Sequence, residues 1–336
     1  MAKIARFFGP GLIGAALLLG GPSLAAAADG GDACTSLTPA LVGGPMLPAD
    51  QERIELRWLG TANYELDYKG QVFLLDTYYD RNPRTRPIGF HAKDVTRATA
   101  IFLGHGHFDH MADAVPVSKQ TGAKVVGAPV TIETAGKLGL PKDMGIVVKG
   151  GETLHFGSVT VDTALARHSS ISTDLFKANA HLFDVDAGPL TPAEQAEKKA
   201  VVARGTFSPD VITKGTIAYA FTFDTGFKLV FFDSAGDVTD GDRALAQKLG
   251  PVDVAIVAYQ GHPVAQRQIP YTLPLIKLFH PALYLPAHHD QDFGAFVDLG
   301  VEPLFEAIRD QLPDTKYLAP LYRQPICLDV SKGAKK

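Results

Sequence analysis

Apolar and polar positions alternate in two distinct rhythms along this chain. Arg53 to Leu59, Tyr64 to Tyr68 and Gln71 to Asp76 are short runs rich in Ile, Leu, Val, Tyr and Phe, separated by Gly60 and by Lys69-Gly70. That pattern predicts three strands, the last two forming a hairpin. Beyond them the rhythm lengthens. The apolar run Ala100 to Leu103 is followed by a helical stretch over Met111 to Gly122, a strand over Lys124 to Gly127 and a helix over Thr131 to Leu138, stopped before Pro141. Strand followed by helix is the alternation of a layered α/β fold. Ile146 to Val148, Glu152 to Phe156 and Val159 to Ala166 return to strand patterning and deliver Arg167 and His168. Thr216 to Phe223 and Lys228 to Phe232 read as a second hairpin across Asp224-Thr225-Gly226. A helix over Asp240 to Leu249, a strand over Val252 to Ala258, a helix over Tyr271 to Phe279 and a strand over Ala282 to Leu285 then repeat the earlier alternation.

Two stretches fall outside this rhythm. Thr77 to Lys93, with Asn82-Pro83 and Arg86-Pro87, is a loop long enough to reach the rim of a site. It carries Tyr78, Tyr79, Arg81 and His91, which are substrate contacts on one reading and surface residues on the other. Residues 171–214 mix Asp, Lys, Pro and Gly with a charged run from Glu194 to Lys199. This insert starts three residues after His168, so it is expected to overhang a site there as a lid or specificity loop, with His181 inside it.

The densest chemistry is His105-Gly106-His107-Phe108-Asp109-His110, which holds three of the chain's eleven histidines. Alternate residues of an extended chain share a face, so His105 and His107 can point the same way. Imidazole and carboxylate are ligands for borderline divalent metals, and four of them on one loop suggest two adjacent ions rather than one closed site. A loop capped by Asp109 would account for one such residue, not four. Asp233 directly follows the apolar run Leu229 to Phe232, where an unpaired carboxylate is costly; cations would justify it, as would a cap or turn at Ser234-Ala235-Gly236.

His105-x-His107-x-Asp109-His110 resembles the H-x-H-x-D-H signature of the metallo-β-lactamase-fold hydrolases. Trp58 to Tyr64 is similar to that family's first strand and glycine turn, and Phe73 to Thr77 to its second strand with a terminal Asp. The resemblance spans roughly residues 53–330 and is nearest to the ascorbate-6-phosphate lactonase-like and N-acyl-phosphatidylethanolamine phosphodiesterase-like branch. It implies a four-layer αββα sandwich. It also implies that His105, His107 and His168 hold one ion, that Asp109, His110 and His288 hold the other, and that Asp233, in an element resembling D-[ST]-G, bridges them. His288 stands in Pro286-Ala287-His288, similar to the family's closing P-x-H; a register shifted by one would give the role to His289.

The implied cofactors are two zinc ions, with iron or manganese open. Two cations about 3.5–4 Å apart would share a water and present it as a bridging hydroxide to an ester-type bond, with Asp109 and Asp233 as the catalytic carboxylates. Phosphodiester or lactone substrates follow from the branch. Alternatives are a mononuclear-iron oxidoreductase on the same scaffold, a β-lactamase, and a metal-binding module without catalysis. Tyr259, Gln260 and His262 follow a strand on the same rim, and Tyr259, His262 and His289 are expected to touch substrate. His155 and His280 read as structural.

Composition narrows the setting. With 46% hydrophobic and 20% charged residues over 336 positions the chain is an ordinary globular one, and a net charge of −4 without basic runs offers no footprint for nucleic acid. The expected partner is a small-molecule substrate. Residues 1–28 differ from the rest: Lys3 and Arg6 precede the apolar stretch Phe7 to Leu19, and Ser23 to Ala28 supplies small residues, which reads as a secretory signal cleaved near Ala28. Gly9, Pro10, Gly11, Gly14 and Pro22 interrupt it below the ~20 residues of a spanning helix, so no stable membrane anchor is expected. Losing Lys3 and Arg6 takes the net charge from −4 to −6. The mature protein would be periplasmic or secreted, with residues 29–52 a tail or linker and residues 53–330 the domain. Cys34 and Cys327, the two cysteines, are expected to form a disulfide in that oxidising setting, two unrelated thiols being the alternative.

Overall fold

Leu229 and Phe231 point to one side of their strand while Val230 and Phe232 point to the other, and both sides are buried. A strand apolar on both faces must lie in a sheet covered above and below. The computed structural model describes residues 32–169, 188–259, 265–291, 297–298 and 300–331. It places that strand in the second of two seven-stranded mixed sheets.

In the first sheet β1 (Arg53–Trp58), β2 (Tyr64–Tyr68) and β3 (Gln71–Leu75) run antiparallel, and β4 (Ala100–Phe102), β5 (Lys124–Gly127) and β6 (Gly145–Val147) continue parallel to β3. In the second sheet β7 (Thr153–Phe156), β8 (Val159–Leu165), β9 (Ile217–Phe223) and β10 (Lys228–Phe232) alternate in direction, while β11 (Val254–Ala258) and β12 (Leu283–Ala287) run parallel to β10. A short ribbon pairs β13 (Asp290–Gln291) with β14 (Val297–Asp298). Strand β15 (Lys316–Tyr317) extends the second sheet, and β16 (Pro325–Asp329) closes the first by pairing antiparallel with β1.

The two sheets face one another across an aromatic core in which Phe102 meets Phe221 at 5.0 Å between ring centroids and Tyr219 at 5.3 Å. Helices α1 (Phe108–Met111), α2 (Ala114–Thr121) and α3 (Pro129–Lys137) belong to the first half of the chain. The insert contributes α4 (Pro192–Val202) and α5 (Pro209–Lys214), and the second half α6 (Asp240–Leu249), α7 (Ala265–Phe279) and α8 (Glu302–Gln311). Val72 and Leu74 of β3 pack with Ala114, Val115 and Ala135 of α2 and α3, whereas Val230 and Phe232 of β10 pack with residues of α6, α7 and α8. The result is the four-layer αββα sandwich the sequence led one to expect.

Several local expectations are corrected. The helix over Met111 to Gly122 is two helices, because Asp113 spends its carboxylate on the amides of Tyr79 and Asp80 between them. Helix α7 starts at Ala265 and runs through Pro270 and Pro274, since burial of Leu273, Leu275, Ile276 and Phe279 outweighs the lost backbone bonds. The charged run in the insert is helix α4, opened by a capping box between Thr191 and Glu194 with Pro192 in the first turn.

Residues expected as a tail instead pack on the first sheet. Ala33, Ala40, Leu41 and Leu47 are buried, Glu65 accepts the amides of Ala40 and Leu41, Asp67 accepts that of Leu47, and Arg57 donates to the carbonyls of Ala33 and Ser36. Cys34 is bonded to Cys327 of β16, with Cα atoms 5.7 Å apart.

Candidate metal centre

Strands β3 and β4 are parallel, as are β8, β10 and β12, so their C-terminal ends open on shared edges of the two sheets. Asp76 follows β3, the His105 to His110 loop follows β4, His168 follows β8, Asp233 follows β10 and His288 follows β12. The seven expected ligands, separated by up to 183 positions, therefore meet at one edge of the sandwich.

Their donor atoms fall into three overlapping groups: His105, His107 and His168; His105, His110 and Asp233; and Asp109, His110 and His288. Within each group the donors lie within 4.8 Å of one another. Asp233 Oδ2 sits 2.6 Å from His105 Nδ1 and 3.3 Å from His110 Nδ1, between the first group and the last. Asp109 Oδ2 sits 3.3 Å from His288 Nε2 and 3.7 Å from His110 Nε2. The rings of His168 and His107 are 4.8 Å apart, and His168 Nδ1 donates to the Ser169 carbonyl at 2.8 Å, which leaves its Nε2 lone pair available. The structure thus brings together every residue of the expected ligand set.

Local backbone features make the convergence possible. Gly104 lies against Asp233: a Cβ at that position would stand 1.9 Å from the Asp233 Cγ, so no other residue fits where the His-rich loop leaves β4. Thr61, Asp76 and His288 adopt left-handed backbone conformations, with φ of 49°, 57° and 62°. Such strain in non-glycine residues persists where surrounding contacts enforce it, and it gathers at functional sites. Two of those contacts are visible: the His288 amide donates to the Thr61 carbonyl at 2.7 Å, and Asp76 Oδ1 accepts the Gly104 amide at 2.9 Å.

Electrostatics favour a cation here. Burial, with the neighbouring imidazoles adding to it, pushes the His105 ring far below its usual pKa. Burial likewise takes His107 and His168 down to about 4, so all three are neutral lone-pair donors. Burial pushes the Asp233 and Asp76 carboxyls well up. Burial also works to raise Asp109, but His110 and His288 outweigh it and hold that carboxyl well below the usual range. Asp233 Oδ1 and His288 Nδ1 are buried without a hydrogen-bond partner. A buried carboxylate oxygen left unsatisfied beside imidazole nitrogens is costly for a protein alone and suits divalent cations. The donor set fits the metal centre that the fold family implies.

The expected substrate contacts fare differently. His289 turns away from the cluster and stacks on Trp58, ring centroids 4.0 Å apart. His288 has a left-handed backbone conformation, and His289 lies on Trp58 rather than among the ligands. Tyr259 is 1% exposed and belongs to the core between the second sheet and its helices, not to the rim. Gln260, His262 and His181 lie outside the described residues. Of the loop residues, Tyr78 and Tyr79 are buried and Arg81 pairs with Asp290 at 2.8 Å.

Two participants were not assigned from sequence. Asp76 accepts from His110 Nδ1 at 2.7 Å and so fixes that ring, a role implicit in its place at a strand end beside the His-rich loop. Phe207 of the insert lies 5.1 Å from the His107 ring, and nothing in the sequence pattern marked it.

No family model matches the chain. By sequence it is 24% identical over 258 residues to a UPF0173 metal-dependent hydrolase of Anaeromyxobacter dehalogenans, covering 76% of this chain and 80% of that one. It spans about 60% of the length of other curated relatives of the same description. Among solved structures it is similar to Igni18, a metallo hydrolase from the archaeon Ignicoccus hospitalis, with a TM-score of 0.56 and 15% identity over 82% of this chain and 98% of that one. It also resembles CmlA, a diiron β-hydroxylase from Streptomyces venezuelae, with a TM-score of 0.52 and 15% identity over 83% of this chain and 54% of that one.

The chain has the metallo-β-lactamase fold. Together with this donor set, its relatives make it an enzyme of the metal-dependent hydrolase class.

Proposed function

We propose that this is an exported dinuclear-metal hydrolase acting on an ester-type bond, a phosphodiester or a lactone. The observation that carries the reading is the position of Asp233, whose Oδ2 lies within 3.3 Å of one histidine from each triad while its Oδ1 has no partner. His105, His107 and His168 would hold one ion and Asp109, His110 and His288 the other, with Asp233 shared. Zinc suits the purely nitrogen and oxygen donor set, with His107 standing where the di-iron redox branch usually carries Glu. Bound divalent cations would supply Lewis acidity and lower the pKa of water at the site.

The protein's own share is to orient and to handle protons. Asp76 and the Ser169 carbonyl fix the tautomers of His110 and His168. Asp109, held ionised beside His110 and His288, supplies a charged oxygen donor rather than a base. Export is supported by the signal-like residues 1–28 and by the Cys34–Cys327 disulfide. Among the described residues no helix is long and apolar enough to cross a membrane.

The test is a metal count by mass spectrometry on wild type, His105→Ala and Asp233→Ala, run beside bis-p-nitrophenyl phosphate, lactone and β-lactam assays. Wild type should carry two zinc ions and cleave the first or second substrate. The variants should lose metal and at least about 100-fold in turnover. One iron per chain without hydrolysis of any substrate would overturn the proposal.

A further inference from the structure

Phe207 is 62% exposed, an unusual disposition for a large aromatic ring beside a metal centre. It is not exposed for want of order, because the chain on each side of it is tied down. Thr206 donates its amide to the Gly106 carbonyl at 2.8 Å, inside the His-rich loop. Gly205 lies so close to that loop that a Cβ there would stand 2.3 Å from the Phe108 amide nitrogen. Arg204 bonds the buried Asp113 carboxylate and donates to the Asp80 carbonyl at 2.8 Å. On the other side, Ser208 caps α5, whose Val211 is fully buried.

The ring therefore cannot retreat into the core. It stands 5.1 Å from the His107 ring at 32° and 6.0 Å from Phe108, which in turn packs edge-on against buried Tyr78 at 5.7 Å. Tyr78, Phe108 and Phe207 make a continuous aromatic step leading from the interior to the mouth of the site, and its last member has an uncovered face.

We propose that Phe207 is a specificity-determining residue that receives an apolar group, aryl or long alkyl, carried by the substrate next to the bond being cleaved. The proposal rests on the hydrolase reading and adds to it a substrate class. An exposed ring pinned beside the His/Asp donor cluster gains by covering itself with apolar substrate surface, and its rigidity means that little conformational freedom is lost on binding. A small polar substituent at the same position would leave the ring wet and gain nothing from it.

The experiment compares substrates that lose the same class of leaving group but differ in the size of the neighbouring apolar substituent. These are p-nitrophenyl methyl phosphate against p-nitrophenyl phenyl phosphate, and γ-valerolactone against γ-dodecalactone, on the metal-loaded wild type, Phe207→Ala and Phe207→Leu. Wild type should prefer the apolar member of the pair by about 10-fold or more in kcat/KM. Phe207→Ala should raise KM for that member about 10-fold while changing the small member less than about 3-fold, with metal content unaltered, and Phe207→Leu should restore part of the preference. Equal kcat/KM for both members in wild type, or an equal loss on both in Phe207→Ala, would overturn this inference and leave the hydrolase reading standing. Metal-loaded wild type inactive on all four substrates would remove both.

Discussion

Gly104 shows how one missing methyl group allows a site to form. With a Cβ 1.9 Å from the Asp233 carboxyl carbon, Gly104→Ala must push apart the end of β4 and the end of β10. We expect a loss of about 1–3 kcal/mol in thermal unfolding together with loss of bound metal, measured on the same preparation. Asp76→Asn tests the carboxylate that orients His110: metal affinity should fall about 10–100-fold in a chelator competition while the fold survives. The residues legible in sequence were those lying directly after apolar runs, because the end of a strand fixes where a side chain must be. Tyr259 and His289 also sit there, yet neither faces the cluster. Which side a residue takes just past a strand depends on local backbone conformation, such as the left-handed one at His288, and a non-glycine residue gives no sign of it in residue order.

At the scale of elements, α4 acts as a strut. Its Glu194 pairs with Arg84 at 2.7 Å, and Arg204 just beyond its end reaches Asp113, which burial pushes up to about 6. Arg204→Ala would leave that buried carboxylate with only the amides of Tyr79 and Asp80, costing about 1–3 kcal/mol in a denaturant titration. The variant should also loosen Phe207, so its preference for apolar substrates should fall with its stability. The helix could have been found beforehand: Thr191-Pro192-Ala193-Glu194 is a capping box with proline in the first turn. Its charge run concealed it, because α4 buries little beyond Val201 and so lacks a strong apolar stripe. The strands of the sandwich were easier to see, since two buried faces demand an unbroken apolar run.

At the scale of the molecule, residues 32–47 are held on the first sheet by an ionic cluster. Burial pushes the carboxyls of Glu55, Glu65 and Asp67 up to about 8, 7 and 6, with Arg57 beside them pulling each back in part. Each value lies above that of an exposed carboxyl, so the folded chain keeps protons that the unfolded chain releases. The stability these groups contribute is full below about pH 4 and is lost as pH rises through 6 to 8, by at most about 1.4 kcal/mol per pH unit for each group. Melting temperatures recorded from pH 4.5 to 8.5 should fall across that window, and Glu55→Gln should flatten the upper part of the fall. Reducing Cys34–Cys327 should cost about 2–5 kcal/mol at any pH within it.

That bond joins positions 293 residues apart and so turns nearly all of the described chain into a covalent ring. A protease that nicks the exposed surface of the insert would open the ring without dividing the molecule. Non-reducing electrophoresis would still show one band, and two fragments would separate only once thiol is added.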